Sequence, residues 1–300
     1  MSAPRGMALI NALIVVAAIS AVAVALLARG DRARERLAAQ GTADQARLHL
    51  AAATPRANAQ LADSTDPDTP VHHEQDWAGA FDGAAHGRAV LDWELADLQG
   101  RFNVNWLSEP DEWGSAPRGA LIRLAMAQDV PEERATHLAD ALTPGGDRAA
   151  LWEGNAPPDG PLLDPGELRE VAGLEDSDID ALAPHLAALP PTAQLNPNTA
   201  APEILGAFLR LDAETAAEAI APREGDPFTG SADFSARVLE PLGSTALEAF
   251  PPGLIDTGSD WFELRARVRL DNARHGRRVV LHRTAPDGAF RVLLSLPEAE

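Results

Sequence analysis

Apolar residues follow one rule near the start of this chain, another near residue 90 and again after residue 260, and neither rule in between. From Met7 to Ala28 almost every position is apolar, with only Asn11 and Ser20 polar. About 22 residues at ~1.5 Å each is enough to cross the hydrocarbon core of a bilayer. The chain then turns hydrophilic at Arg29, Asp31, Arg32, Arg34, Glu35 and Arg36, and an Ala-rich stretch carries helix to about residue 53, just before Pro55. Residues 62–70, rich in Pro, Asp, Ser and Thr, read as a loop. Residues 88–98 nearly alternate, Leu91, Trp93 and Leu95 against Asp92 and Glu94, which predicts a strand with one wet face. Gln99-Gly100 reads as a turn and 101–105 as a second extended segment. Residues 261–270 alternate almost strictly, with Phe262, Leu264, Ala266, Val268 and Leu270 opposite Glu263, Arg265, Arg267 and Arg269. Residues 276–283 and 289–296 supply two more strands, joined by a Pro286-Asp287-Gly288 turn. Between about 117 and 250 the pattern predicts short helices cut by Pro and Gly: 120–128, 131–142, 164–172, 177–189, 202–209 and 213–220. Strands on both sides of that region predict a single antiparallel sheet with the helices inserted in it, an α+β fold.

Charge narrows the choice of partners. Asp and Glu number 45 against 25 cations, a formal net charge of -20 with a pI near 4.7. A phosphate-binding surface needs clustered cations, so DNA, RNA and anionic headgroups are disfavoured. Cys is absent, which excludes disulfides, thiolate metal sites and Cys nucleophiles. No G-x-S-x-G, Walker A, H-E-x-x-H or G-x-G-x-x-G pattern occurs, so no catalytic residues are nominated.

Four groups of polar residues invite a functional reading, and each has a plainer one. His72, His73, Glu74 and Asp76 come after a loop, but adjacent histidines diverge and no further ligand stands at metal-site spacing. Asn103 and Asn105 could hold a ligand; paired Asn at a strand end more often satisfy the backbone of a nearby loop. Asp176, Asp178 and Asp180 imitate the start of a calcium loop, yet Ala181 and Ala187 stand where Gly and Glu are needed, so they read as helix-capping carboxylates. Segments 195–205 and 211–220 look like a helix-hairpin-helix unit. Its charges are Glu203, Asp212, Glu214 and Glu218 against Arg210, a balance that repels phosphate and favours packing against protein.

The N-terminal segment admits a secretory signal peptide, a plain signal anchor, or a third reading. Its apolar run is long for a secretory signal and lacks a small-x-small cleavage site. Counting cations alone would place Arg29 to Arg36 on the cytoplasmic side. The order Arg5, Gly6, Met7, then an apolar helix resembles the signal cut by prepilin peptidases. That resemblance implies cleavage between Gly6 and Met7, an N-methylated Met7, retention of the helix, and a periplasmic location for the rest of the chain. Most members of that class carry Glu at the fifth mature position; here it is Asn11. A lone carboxylate in a bilayer is costly unless paired, and a subunit at a filament end lacks the neighbour that would pair it.

The segments Asp97-Leu-Gln-Gly-Arg-Phe-Asn-Val-Asn105, Gly166-Glu-Leu-Arg-Glu-Val-Ala-Gly-Leu174, Asn196-Pro-Asn-Thr-Ala200 and Ser259-Asp-Trp-Phe-Glu-Leu-Arg-Ala-Arg-Val268 resemble, in order, those of the K-type minor pseudopilins of type II secretion systems. The resemblance implies a pseudopilin fold, a long membrane helix packed on an antiparallel sheet, with an all-helical domain inserted. Its divisions would be a leader at 1–6, a transmembrane helix at 7–28 continuing to about 53, pseudopilin α/β structure at 54–116 and 251–300, and the helical domain at 117–250. It further implies a non-catalytic subunit of the inner membrane, at the tip of the pseudopilus with I-type and J-type minor pseudopilins, taking part in export of folded proteins. A DNA-uptake or type IV pilus minor pilin, and a membrane-anchored periplasmic enzyme, are the alternatives. Many relatives have an Asp-rich calcium loop; the matching stretch here, residues 139–147, keeps only Asp140 and Asp147, so no metal ligand or other cofactor is expected.

Overall fold

The computed structural model describes residues 4–86, 88–145, 148–152, 160–271, 273–284 and 288–298. Helix α1 runs unbroken over Pro4–Ser64, past the expected end near residue 53. Pro55 does not break it because that turn faces water, where the carbonyl left without an amide donor can bond solvent. The packed face is spaced four, three, four and four residues apart: Ala46, Leu50, Ala53, Ala57 and Leu61 are all buried. Small residues at three of those five places let the helix axis lie close to the sheet.

The sheet is antiparallel with spatial order β1-β2-β5-β6-β7, formed by Phe81–His86, Ala89–Asp97, Trp261–Leu270, Ala273–Thr284 and Ala289–Glu298. Leu91, Trp93 and Leu95 of β2 stand opposite Val268, Ala266 and Leu264 of β5. Together with Val279, Leu281 and Phe290 these side chains form the face that α1 covers, as the alternation predicts. The pattern does not reveal β1. Gly83, at φ 51°, sits where the β1–β2 register shifts, and this bulge breaks the alternation. Residues 285–287, two of the three expected turn residues between β6 and β7 among them, lie outside the described part.

The chain leaves the sheet after β2 and returns to it at β5. In between, Phe102–Asn103 (β3) pairs in parallel with Leu186–Ala187 (β4). The extended segment expected at 101–105 is therefore only two residues long, and a 3₁₀ turn comes next at Val104–Ser108. One helical turn, α2 (Pro110–Trp113), precedes α3 (Ala116–Ala127) and α4 (Glu132–Leu142). The helix expected at 164–172 is a 3₁₀ segment, Pro165–Glu170, opened by a capping box of Asp164 and Glu167. It stops because Val171 is drawn into a β-bridge with Trp152. Helix α5 covers Asp176–Leu182 rather than 177–189, since Pro184 cannot donate and β4 takes the next residues. Helices α6 (Pro202–Leu209) and α7 (Ala213–Ile220) match expectation. These elements enclose a second core of Phe102, Trp106, Leu121, Leu124, Phe208, Phe228, Phe234 and Phe250.

Candidate functional site

Two features stand out, a bare helix and a joint. Gly6, Met7 and Asn11 all lie on the backbone of α1 within its first eight residues; their side chains lie outside the described part. From Leu13 to Leu27 the apolar side chains are exposed, Leu13 at 70% and Leu27 at 69%. This is one helix long and apolar enough to span a membrane, by length and composition. An apolar surface of that extent is stable only in lipid or against other protein.

The joint connects the sheet to the helical region, and three of the four motif segments, 97–105, 196–200 and 259–268, meet there. Asp97, at the end of β2, is buried. Its Oδ2 accepts from Thr199 Oγ1 at 2.6 Å, Ser259 Oγ at 2.6 Å and Asn196 Nδ2 at 3.2 Å, and its Oδ1 from Gln99 N at 2.8 Å. Burial pushes its pKa up, against the pull of those four donors. Gln99 continues the seam: its amide donates to Gln194 O and its Oε1 accepts from Asp260 N. Gly100 is required here, because a Cβ would lie 2.7 Å from Thr199 O.

A second buried carboxylate lies on the outer face of the sheet. Glu263 meets Arg101 Nη2 at 3.0 Å, Arg265 Nε at 2.9 Å and Arg278 Nη1 at 3.3 Å. Arg278 also holds Asp164, at the start of the 3₁₀ segment. Burial would raise the pKa of Glu263, but Arg101, Arg265 and Arg278 carry it below the ordinary value. The alternation of β5 places Glu263 on the wet face with three arginines; the helical region covers that end of the face, so it is buried instead.

The other candidates resolve into structure. Asn103 Oδ1 accepts from Asn105 N and Leu189 N, while Asn105 bonds Leu162 N, Leu162 O and Leu189 O. Both close loops, as their position suggests. Asp178 caps the N-terminus of α5 and pairs with Arg134; Asp176 and Asp180 share Arg169. His73 bonds Thr199 O, and among the described residues no group of His, Asp or Glu is arranged to hold a metal ion. Asp140 is paired with Arg118, and Asp147 lies outside the described part, so the residues on view do not fit a calcium loop.

Comparison with known proteins agrees with this layout. The family model described as type II secretion system protein K matches residues 100–191. The type II secretion system protein K of Pseudomonas aeruginosa is 26% identical over 96% of this chain and 91% of its own length. That of Klebsiella pneumoniae is 28% identical over 93% and 92%. Over more than nine-tenths of its length the chain is similar to these type II secretion system K proteins. A chain of the GspK-GspI-GspJ complex from the enterotoxigenic Escherichia coli system has the same fold, with a TM-score of 0.72 at 24% identity, covering 88% of this chain and all of that one. The match to the family model at 100–191 starts at Gly100, beside the Asp97 joint, and runs through the 3₁₀ segment and α5. The buried carboxylates escape a sequence reading because Asp97 and Glu263 each sit on an ordinary strand pattern. Only the order of the motif segments hints that they meet.

Proposed function

We propose that this chain is a protein K family member, a minor pseudopilin that caps the tip of the pseudopilus, with I-type and J-type minor pseudopilins as its neighbours. The observation that carries the reading is a helical region interrupting a pseudopilin-type sheet and standing beside a bare membrane-length helix. A lobe of that bulk suits a terminal position, since repeated lateral packing along a filament would clash with it. The role is structural rather than catalytic, in assembly of the filament and export of folded proteins. The helix anchors the chain in the inner membrane and the sheet and helical lobe stand in the periplasm.

Gly6 and Met7 are the processing site, and Asn11 spares a terminal subunit an unpaired buried anion. The family-type calcium site is lost from this chain, its one described carboxylate being occupied by Arg118.

The test is the mass of the N-terminal peptide from membranes with and without active prepilin peptidase. A methylated Met7 terminus that depends on the peptidase is expected; an intact Met1 or a cut beyond residue 20 overturns the reading. Tip placement is tested by co-purification with the I-type and J-type partners. An Asn11→Glu variant found along the filament rather than at one end would support the role of Asn11.

A further inference from the structure

The hairpin between α6 and α7 opens onto a cleft of about 580 Å³ lined by Arg123 of α3 and Arg210 of the turn, with Met126 and Leu211 as apolar walls. Elsewhere in the helical lobe Arg134, Arg169 and Arg237 each hold two carboxylates. Among the described residues neither Arg123 nor Arg210 forms an ion pair. Arg123 is half-buried and fixed, its Nε donating to Ala207 O at 2.5 Å. Its Nη1 rests over Gly119, where a Cβ would lie 3.1 Å away. The terminal nitrogens are thus held in place without an anionic acceptor. Burial, and then the charge of Arg210, lower the pKa of Arg123. Two cations that repel each other across a half-apolar cleft form a site completed by an anion.

We propose that this cleft binds a single carboxylate flanked by apolar groups, belonging to another protein chain, with Arg123 and Arg210 as its two ligands. Three observations select that chemistry over a nucleic acid. Residues 117–250 carry 23 Asp and Glu against 8 Arg, which repels a polyanion. Glu203 and Asp212 also line the cleft and would repel a second negative charge. Asp212 is itself committed to capping α7, its carboxylate accepting from Thr215 N and Oγ1. Met126, 44% exposed, offers a flexible apolar surface beside the guanidinium groups.

The full chain in lipid nanodiscs is titrated against fluorescein-Gly-Gly-Leu-Leu with a free C-terminal carboxylate and against its C-terminal amide, read by anisotropy. The free acid is expected to bind about tenfold more tightly. Arg210→Asn should remove most of that difference without changing the melting temperature, because Asn tolerates the left-handed backbone at φ 62°. Arg123→Met should do the same while filling the apolar space. Equal binding of acid and amide, including no binding by either at millimolar concentration, overturns the proposal. So does an acid preference that survives both substitutions, or tighter binding of inorganic phosphate or a 20-base-pair duplex than of the peptide acid.

Discussion

Asp97 and Glu263 lie at two ends of the same joint, both carboxylates and both buried, and they are stabilised in opposite ways. Asp97 is surrounded by neutral donors, two hydroxyls, a side-chain amide and a backbone N–H, and its pKa rises. Glu263 is surrounded by three guanidinium groups, and its pKa falls. Neutral donors satisfy the lone pairs of a buried carboxylate but do not cancel its charge, so desolvation still wins. Three cations cancel it with charge to spare, and Asp164 balances Arg278 on its far side. The two clusters therefore do different work: the Asp97 seam fixes orientation through directed hydrogen bonds, whereas the Glu263 cluster clamps the lobe onto the sheet through charge.

Removing the anion from the charged cluster is expected to have the largest effect. Glu263→Ala leaves Arg101, Arg265 and Arg278 facing one another in a partly dry space, at a cost of about 3–5 kcal/mol. Denaturant unfolding of the full chain in micelles measures it. A loss below about 1 kcal/mol would mean that water reaches the cluster and that the contrast with Asp97 is one of solvation, not charge. Pairing Glu263→Ala with Arg101→Ala in a double-mutant cycle sharpens the result, since the two losses should be far from additive.

Asp97→Ala comes next, at about 1–3 kcal/mol, because it strips acceptors from the hydroxyls of Thr199 and Ser259 and from Gln99 N. Those donors carry no net charge, and the hydroxyls can turn to other acceptors, so the loss should be smaller than at Glu263. A loss as large as that of Glu263→Ala would show that directed hydrogen bonds, not charge, dominate the joint.

The pH dependences should run in opposite directions. A raised pKa in the folded state means that Asp97 contributes most below its unfolded value near 3.8 and loses that contribution as pH rises through its folded pKa. A lowered pKa means that Glu263 contributes above its unfolded value near 4.5 and loses that contribution as pH falls through its folded pKa. The stability gap between wild type and Asp97→Asn should therefore widen on acidification from neutral pH, while the gap to Glu263→Gln narrows. Parallel trends in unfolding curves from pH 7 down to about pH 3.5 would contradict the assigned directions.

The same contrast explains what could be read in advance. Where one face of an element is apolar and the other wet, periodicity alone finds it, as in β2, β5 and the two hairpin helices α6 and α7. The Asn103 and Asn105 loops were legible because short polar side chains at a strand end have few other uses. Glu263 was not, since strand alternation marks a residue as facing away from α1 but cannot say what later covers that face. Helix α1 outran its expected end for a related reason: a proline rule assumes that the freed carbonyl is buried, and at Pro55 it is not. Nor does spacing reveal the Asp97 seam, whose partners lie 99, 102 and 162 residues further along the chain.

The smallest effect expected is none. If Asp140, Asp176, Asp178 and Asp180 serve the lobe's own arginines, added calcium should leave its stability unchanged. Asp140 is held by Arg118, Asp178 by Arg134, and Asp176 and Asp180 by Arg169. A calcium ion would have to displace a guanidinium before gathering the six or more oxygens it needs. A site with Kd near 10⁻⁴ M at ~10 mM calcium would stabilise the fold by about 2.7 kcal/mol, and about 1 kcal/mol already moves the melting temperature by roughly 2–4 °C in a chain of this size. A thermal melt in 10 mM calcium that matches one in chelator is the expected result. A rise of several degrees, absent when magnesium replaces calcium, would place a specific calcium site in the lobe.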